Sequence, residues 1–295
     1  MNFHALGVKL KPFLKREEAK TGHQRTRAVT HAFLDLIKSS TFSALRPDQI
    51  WTGLNHAFII NLAEPELKKY HEGKIGTAEL IDALHSIRQG WAKSSGTAFE
   101  YFLVDRFDSI LQKQSPRMRL LSKTDKQLRA LRPTNLSENE LGENKIDDLY
   151  LLVQSGHAWI IFCMISAQAS GGDRWLRGEQ RCNSLRTSGV NCINITLDPR
   201  QISRSPNGNM LQPDYLRRFQ QPNPPYNAHF ILDKEDEEVS LPDSIKAKGG
   251  TFPLCKPSRI FRTDLRAEDC LFLKKTKKAA LEFLKSKSLA STYNW

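Results

Sequence analysis

No apolar run in this sequence reaches the roughly 18 residues that a membrane span requires. The longest, residues 158–167, contains Cys163 and Ser166, so no spanning helix and no membrane partner are expected. The opening stretch MNFHALGVKLKPFLKREE holds no continuous apolar segment and no small-residue cleavage site, so a secretory signal is not expected. Cysteine is scarce. Cys163, Cys182, Cys192, Cys255 and Cys270 are odd in number and no pair has C-x2-C spacing. That excludes a zinc ribbon or a disulfide framework as the leading reading and makes a cytoplasmic location the expected one. The eight histidines form neither H-x3-H nor HExxH, and no Walker A or GxGxxG loop is present.

What remains is a globular composition. The chain has 295 residues, 39% hydrophobic and 9% aromatic, enough for one large domain or two modest ones. Its formal net charge of +12 favours a polyanion, either nucleic acid or an anionic surface.

Periodicity separates two regions. Residues 1–90 read as helical. Val29, Phe33, Leu36 and Ile37 share a face, Asp48 is the expected N-cap of a helix through Trp51, Leu54 and Phe58, and Leu80, Ile81, Leu84 and Ile87 are expected to face inward on another helix. A further helix is expected from about Ser94 through Ile110, and then a polar loop, 132–145. After it the pattern shifts to short β-rich runs, 146–153 and 158–166, joined by Gln154-Ser-Gly-His157, the mark of a hairpin buried on both faces. A helix over 173–185 and a strand over 191–197 follow, residues 203–226 read as loop, 230–232 and 271–273 as further strands, and 275–289 as a closing helix. The result is an α/β chain with a mixed sheet.

Polar residues gather around the hairpin. Asp147 and Asp148 open its first strand. Ser166 and Gln168 close the second and share a face, being two apart. Folding about Ser155-Gly156 brings Asp148 level with Ser166, where a buried carboxylate calls for a cation. Arg174, Arg177 and Arg181 fall at i, i+3 and i+7, one helix face suited to phosphates or guanine edges. The lysines of 274–287 read as a solvated face opposite Ala280, Leu281 and Leu284. Residues 233–238 read as a turn, and 22–27 as surface or a DNA-contacting arm.

The segment Ser166-Ala-Gln-Ala-Ser-Gly-Gly-Asp-Arg-Trp175 resembles the S-x-K-x-S-x-R-[DE]-R-W block of type II restriction endonucleases of the PD-(D/E)xK superfamily. Ser170 matches the second serine, Asp173 the acidic position and Arg174-Trp175 the Arg-Trp pair. Glu100 is similar to the glutamate on the helix ahead of the sheet, Ile146-Asp-Asp148 to the Pro-Asp element, and 194–198 to the strand after the recognition helix. The resemblance covers about residues 91–200. It departs at two positions: Ser166 stands at the usual carboxylate and Gln168 at the usual lysine.

The resemblance implies an α/β, PD-(D/E)xK nuclease-like core with a central mixed sheet flanked by helices, over residues 91–295. Residues 1–90 would form a helical subdomain for dimerisation or DNA embrace. It implies Mg2+-dependent hydrolysis of double-stranded DNA at a short specific sequence. Asp148, Gln168, Ser166 and Glu100 would be catalytic; Asp148, Glu100 and Glu179 would hold the metal; Ser170 would join the arginines on DNA. A homodimer and a cognate DNA methyltransferase are the expected partners. The alternative is a catalytically silent DNA-binding protein on the same fold, signalled by Gln168. An RNA-directed role is disfavoured because aromatics do not interleave with the basic residues.

Overall fold

A computed structural model describes residues 2–14, 22–115, 117–122, 124–137, 141, 149–169, 174–197, 226–239, 244–247, 250–253 and 260–286. The chain divides into two compact units, residues 1–103 and 104–295, with the division inside a long helix.

The first unit holds α1 (Phe3–Leu14), α2 (Gly22–Lys38), a 3-10 turn (Ser40–Phe42), α3 (Pro47–His71) and the first part of α4 (Thr77–Gln114). Its core is aromatic: Phe33 meets Trp51 edge-on at 4.9 Å and Phe102 at 4.7 Å, and Trp51 meets Phe99 at 5.8 Å. Helices α1 and α3 approach closely because glycine faces the contact. A Cβ on Gly53 would stand 2.8 Å from the Leu6 and Leu10 side chains, and one on Gly7 2.7 Å from the His56 Cβ.

The structure corrects the sequence reading at several points here. Asp48 is not the N-cap of α3. Pro47 occupies the first helical position, where its missing N–H costs nothing, and Arg46 precedes it. The Asp48 carboxylate instead accepts from the Arg46 guanidinium, at 3.0 Å on each oxygen. Helix α4 is continuous where two helices were expected. Residues 22–27 are no arm: they open α2, Thr26 is buried and Arg27 lies over the Tyr101 ring at 4.0 Å.

The second unit is built on a seven-stranded mixed sheet in the order β1-β2-β3-β4-β5-β9-β6. The strands are β1 (Met118–Ser122), β2 (Leu149–Ser155), β3 (Ala158–Gln168), β4 (Asn191–Thr196), β5 (Ala228–Asp233), β6 (Glu237–Glu238) and β9 (Ile260–Asp264); β7 (Ser244–Ala247) and β8 (Gly250–Pro253) pair separately. The β1–β2 and β2–β3 pairs are antiparallel, β3–β4, β4–β5 and β5–β9 are parallel, and β6 pairs antiparallel with β9. The unit also contains α5 (Lys126–Leu131), α6 (Arg174–Thr187) and α7 (Leu271–Ser286).

The expected hairpin is present. Its two-residue loop begins at Gly156, whose φ of 62° is the conformation a II′ turn reserves for glycine. Phe283 and Phe272 of α7 cover one face of the sheet, meeting Phe162 at 5.4 Å and Phe230 at 5.2 Å, and Phe107 of α4 meets Phe272 at 4.8 Å. Cys182 and Leu185 of α6 join Tyr150, Met164, Cys192 and Ile231 in the core on the other face.

Residues 271–273, expected as a strand, open α7. The Asp236 carboxylate accepts the Leu271 N–H at 2.9 Å, and Phe272, Leu273, Ala279, Ala280 and Phe283 are buried at helical spacing. Leu281 and Ile81, both expected inside, are 54% and 60% exposed. Strands β1 and β9 were not foreseen. Among the described residues no helix is long and apolar enough to cross a membrane.

Candidate active site

A bulge decides which side chains of β3 reach which face of the sheet. The register with β2 pairs Leu152 with Ile161 but Leu151 with Cys163, so Phe162 is one extra residue on β3 at that point. One extra residue reverses the inward–outward alternation. Ile161 before the bulge and Met164 after it therefore belong to the same core, and along the pleat Ser166 and Gln168 follow Met164. The loosened backbone is held by side chains from elsewhere. Asn135 donates Nδ2 to the Ile161 carbonyl at 2.9 Å and accepts the Ile161 N–H at 2.8 Å. Asn191 donates Nδ2 to the Phe162 carbonyl at 3.1 Å.

At the carboxyl ends of β3 and β4 the parallel register sets Ser166 beside Asn194 and Gln168 beside Thr196. His229 of β5 stands beside Asn194 and meets the Tyr226 ring edge-on at 5.2 Å. All are buried, between 0% and 4% exposed. Gln168 donates Nε2 to Ser166 Oγ at 3.3 Å. Gln168 Oε1 and both amide atoms of Asn194 have no hydrogen-bond partner. An unpaired buried polar group costs roughly 1–3 kcal/mol, so this row spends stability on being ready for something else. Its place, outside the carboxyl ends of parallel strands, is where ligands bind in open α/β sheets.

The other expected site residues are distributed as follows. Asp148 and Ser170 lie outside the described residues, as do the side chains of Arg174, Arg177 and Glu179, whose backbones form α6. Glu100 is half-buried on α4 in the first unit. Arg181 is only 5% exposed, because it lies on the part of α6 that also buries Cys182 and Leu185. The expectation of an open arginine stripe is therefore not met at its last position. The lysine face is partly engaged: Lys275 lies over the Phe261 ring at 4.4 Å and Lys277 donates to Gln114 Oε1 at 2.6 Å.

Among the described residues three thiols are unsuited to nucleophilic chemistry. Burial pushes the Cys163 and Cys182 thiols well above the ordinary thiol range, with neighbouring cysteine adding to the effect, and burial raises Cys270 as well. Such thiols stay protonated and inert. Among the described residues no three His, Cys, Asp or Glu side chains gather as metal ligands.

Asn194, Thr196 and His229 were missed in the sequence. A signal was present for the first two: Ile193-Asn-Ile-Thr196 alternates apolar and polar at strand period, which places Asn194 and Thr196 on one face.

No protein-family model matches the sequence, and no curated protein matches it. The fold is shared with the restriction endonuclease BsaWI in a pre-specific complex with DNA, at a TM-score of 0.55 and 16% identity, over 100% of this chain and 98% of that one. It is shared equally with the restriction endonuclease AgeI in a specific complex with DNA, at 0.56 and 16%, over 96% and 90%. At this identity the likeness establishes the α/β architecture, a central mixed sheet flanked by helices.

Proposed function

We propose that this chain is a type II restriction endonuclease that hydrolyses phosphodiester bonds at a short specific sequence in double-stranded DNA, with Mg2+. The observation that carries the proposal is the buried row of Ser166, Gln168 and Asn194, with unpartnered amide atoms, at the strand ends of this fold. The two neighbours of that fold are restriction endonucleases in complex with DNA, and the net charge of +12 suits a polyanionic substrate.

The donor chemistry fits the metal. Ser166 Oγ, Gln168 Oε1 and Asn194 Oδ1 are hard, neutral oxygens, the type that Mg2+ accepts directly or through its waters. Asp148 and Glu179 are the carboxylates that would hold it. When bound, the ion would lower the pKa of a water and stabilise charge developing on the phosphate. The chain's own part is orientation. Gln168, steadied by Ser166, presents an acceptor to the attacking water but adds no charge, where a lysine would add one. Arg174 and Arg177 would take phosphates or base edges. A palindromic site is read most simply by a two-fold dimer, so the working form would be a homodimer, guarded in the cell by a cognate methyltransferase.

Incubation with phage DNA and Mg2+ tests this directly. Discrete fragments are expected; a smear, or tight binding without cutting, would count against it. The neutrality of Gln168 favours one second reading, a silent DNA-binding protein on the same fold. Under that reading Gln168→Lys gains cleavage over an inert parent.

A further inference from the structure

The asparagines on and beside the sheet differ in how their amides are used. Asn135 spends both ends of its amide on the backbone of Ile161. Asn191 donates to the Phe162 carbonyl, and Asn227 accepts the Cys192 N–H at 2.8 Å. These hold strands in place. Asn194 does not. It is 0% exposed, and neither Oδ1 nor Nδ2 has a partner. It stands beside Ser166 on the neighbouring strand, about 5 Å away by the usual strand spacing. Gln168 is drawn back towards the same place by its bond to Ser166 Oγ, with its own Oε1 unpartnered. Asn194 Oδ1 and Nδ2 and Gln168 Oε1 together offer two acceptors and one donor. A single water would accept from Asn194 Nδ2 and donate to Gln168 Oε1 and Asn194 Oδ1, the usual complement of a buried water.

We infer that Asn194 is a further catalytic residue, which together with Gln168 holds the water that attacks the phosphodiester. The inference rests on the nuclease reading above. In the step, the water oxygen forms the new P–O bond and the P–O bond opposite it breaks. One water proton passes through solvent to the departing oxygen, so water and diester become a phosphomonoester and an alcohol. Neutral amides cannot take that proton; they fix the water's direction and leave proton transfer to solvent. The Asn194 amide makes no hydrogen bond within the fold, so its loss is felt in chemistry and not in folding.

The test measures urea stability, DNA affinity in Ca2+ and single-turnover cleavage in Mg2+ for the full chain carrying Asn194→Val and, separately, Asn194→Ser. The expected result for Asn194→Val is a denaturation midpoint equal to or above the parent's, since apolar replacement of unpaired groups is neutral or stabilising. DNA affinity should stay within about threefold, while cleavage falls about a hundredfold, the scale for losing one positioned hydrogen-bond group. Asn194→Ser keeps one hydroxyl and should recover part of the rate. Loss of folding in both variants, or a lower midpoint with unchanged cleavage, would make Asn194 structural and overturn the inference. A parent that cuts DNA as fast as Asn194→Val removes this role alone. A parent that cuts no DNA removes the nuclease reading and the role with it.

Discussion

On one face of the β3–β4 pair, Ile165 lies beside Ile193 and Ala167 beside Ile195; on the other, Ser166 lies beside Asn194 and Gln168 beside Thr196. Both faces are equally withdrawn from water, none of these residues being more than 4% exposed. The first face continues into Phe230, Phe261 and Phe272 and gains stability from every atom it buries. The second leaves amide atoms unpaired and loses stability by it. At their carboxyl ends these two adjacent strands thus carry apolar packing on one side and a polar row with unpaired amide atoms on the other. Natural proteins depart from good local practice chiefly where function demands it, which is the reason to place the chemistry on the second face.

The sharpest way to break that comparison is to move the polar chemistry to the wrong side. Ile193→Asn removes packing from the apolar face and leaves a buried amide unpaired, so the urea-measured stability should fall by about 4 kcal/mol. A loss under about 1 kcal/mol would mean the two faces are not distinct. Next in size is the device that sets the faces. Asn135→Ala strips both side-chain bonds from Ile161 at the bulge and should cost about 2–3 kcal/mol; unchanged stability would show that the bulge holds itself.

The smallest effect is alkaline. Cys163, Cys182 and Cys270 have thiol pKa values raised in the fold, foremost by burial. In the unfolded chain they ionise in the ordinary thiol range while the folded ones do not. Stability is therefore unaffected by them at lower pH and declines as pH rises through and beyond that range. In urea titrations at successive pH values, a replacement of Cys163 by Ala should flatten part of that decline. An unaltered slope would remove Cys163 from the explanation.

How much could be read in advance varied with the range of the contacts involved. The hairpin was legible because unbroken apolar runs flank a Ser-Gly-His turn, and α6 and β4 because their periods are clean. The run 271–273 is too short to distinguish strand from helix; the Asp236 carboxylate, distant in sequence, decides for helix. The bulge at Phe162 was invisible, since it depends on Asn135 and Asn191 from other segments. Ser166 and Gln168 were singled out by their motif. Asn194 was not, because its meaning comes from a parallel partner that sequence spacing does not reveal. Arg181 fitted a stripe by its spacing, yet spacing says nothing of which part of α6 the sheet covers.

If the polar face serves catalysis and not folding, Gln168→Leu separates the two, compared with the parent for Mg2+-dependent cutting of phage DNA and for urea stability. Discrete fragments are expected from the parent and none from the variant, at equal or higher stability for the variant. Identical fragments from both, or a variant that loses stability while it still cuts, would contradict a catalytic role for that face.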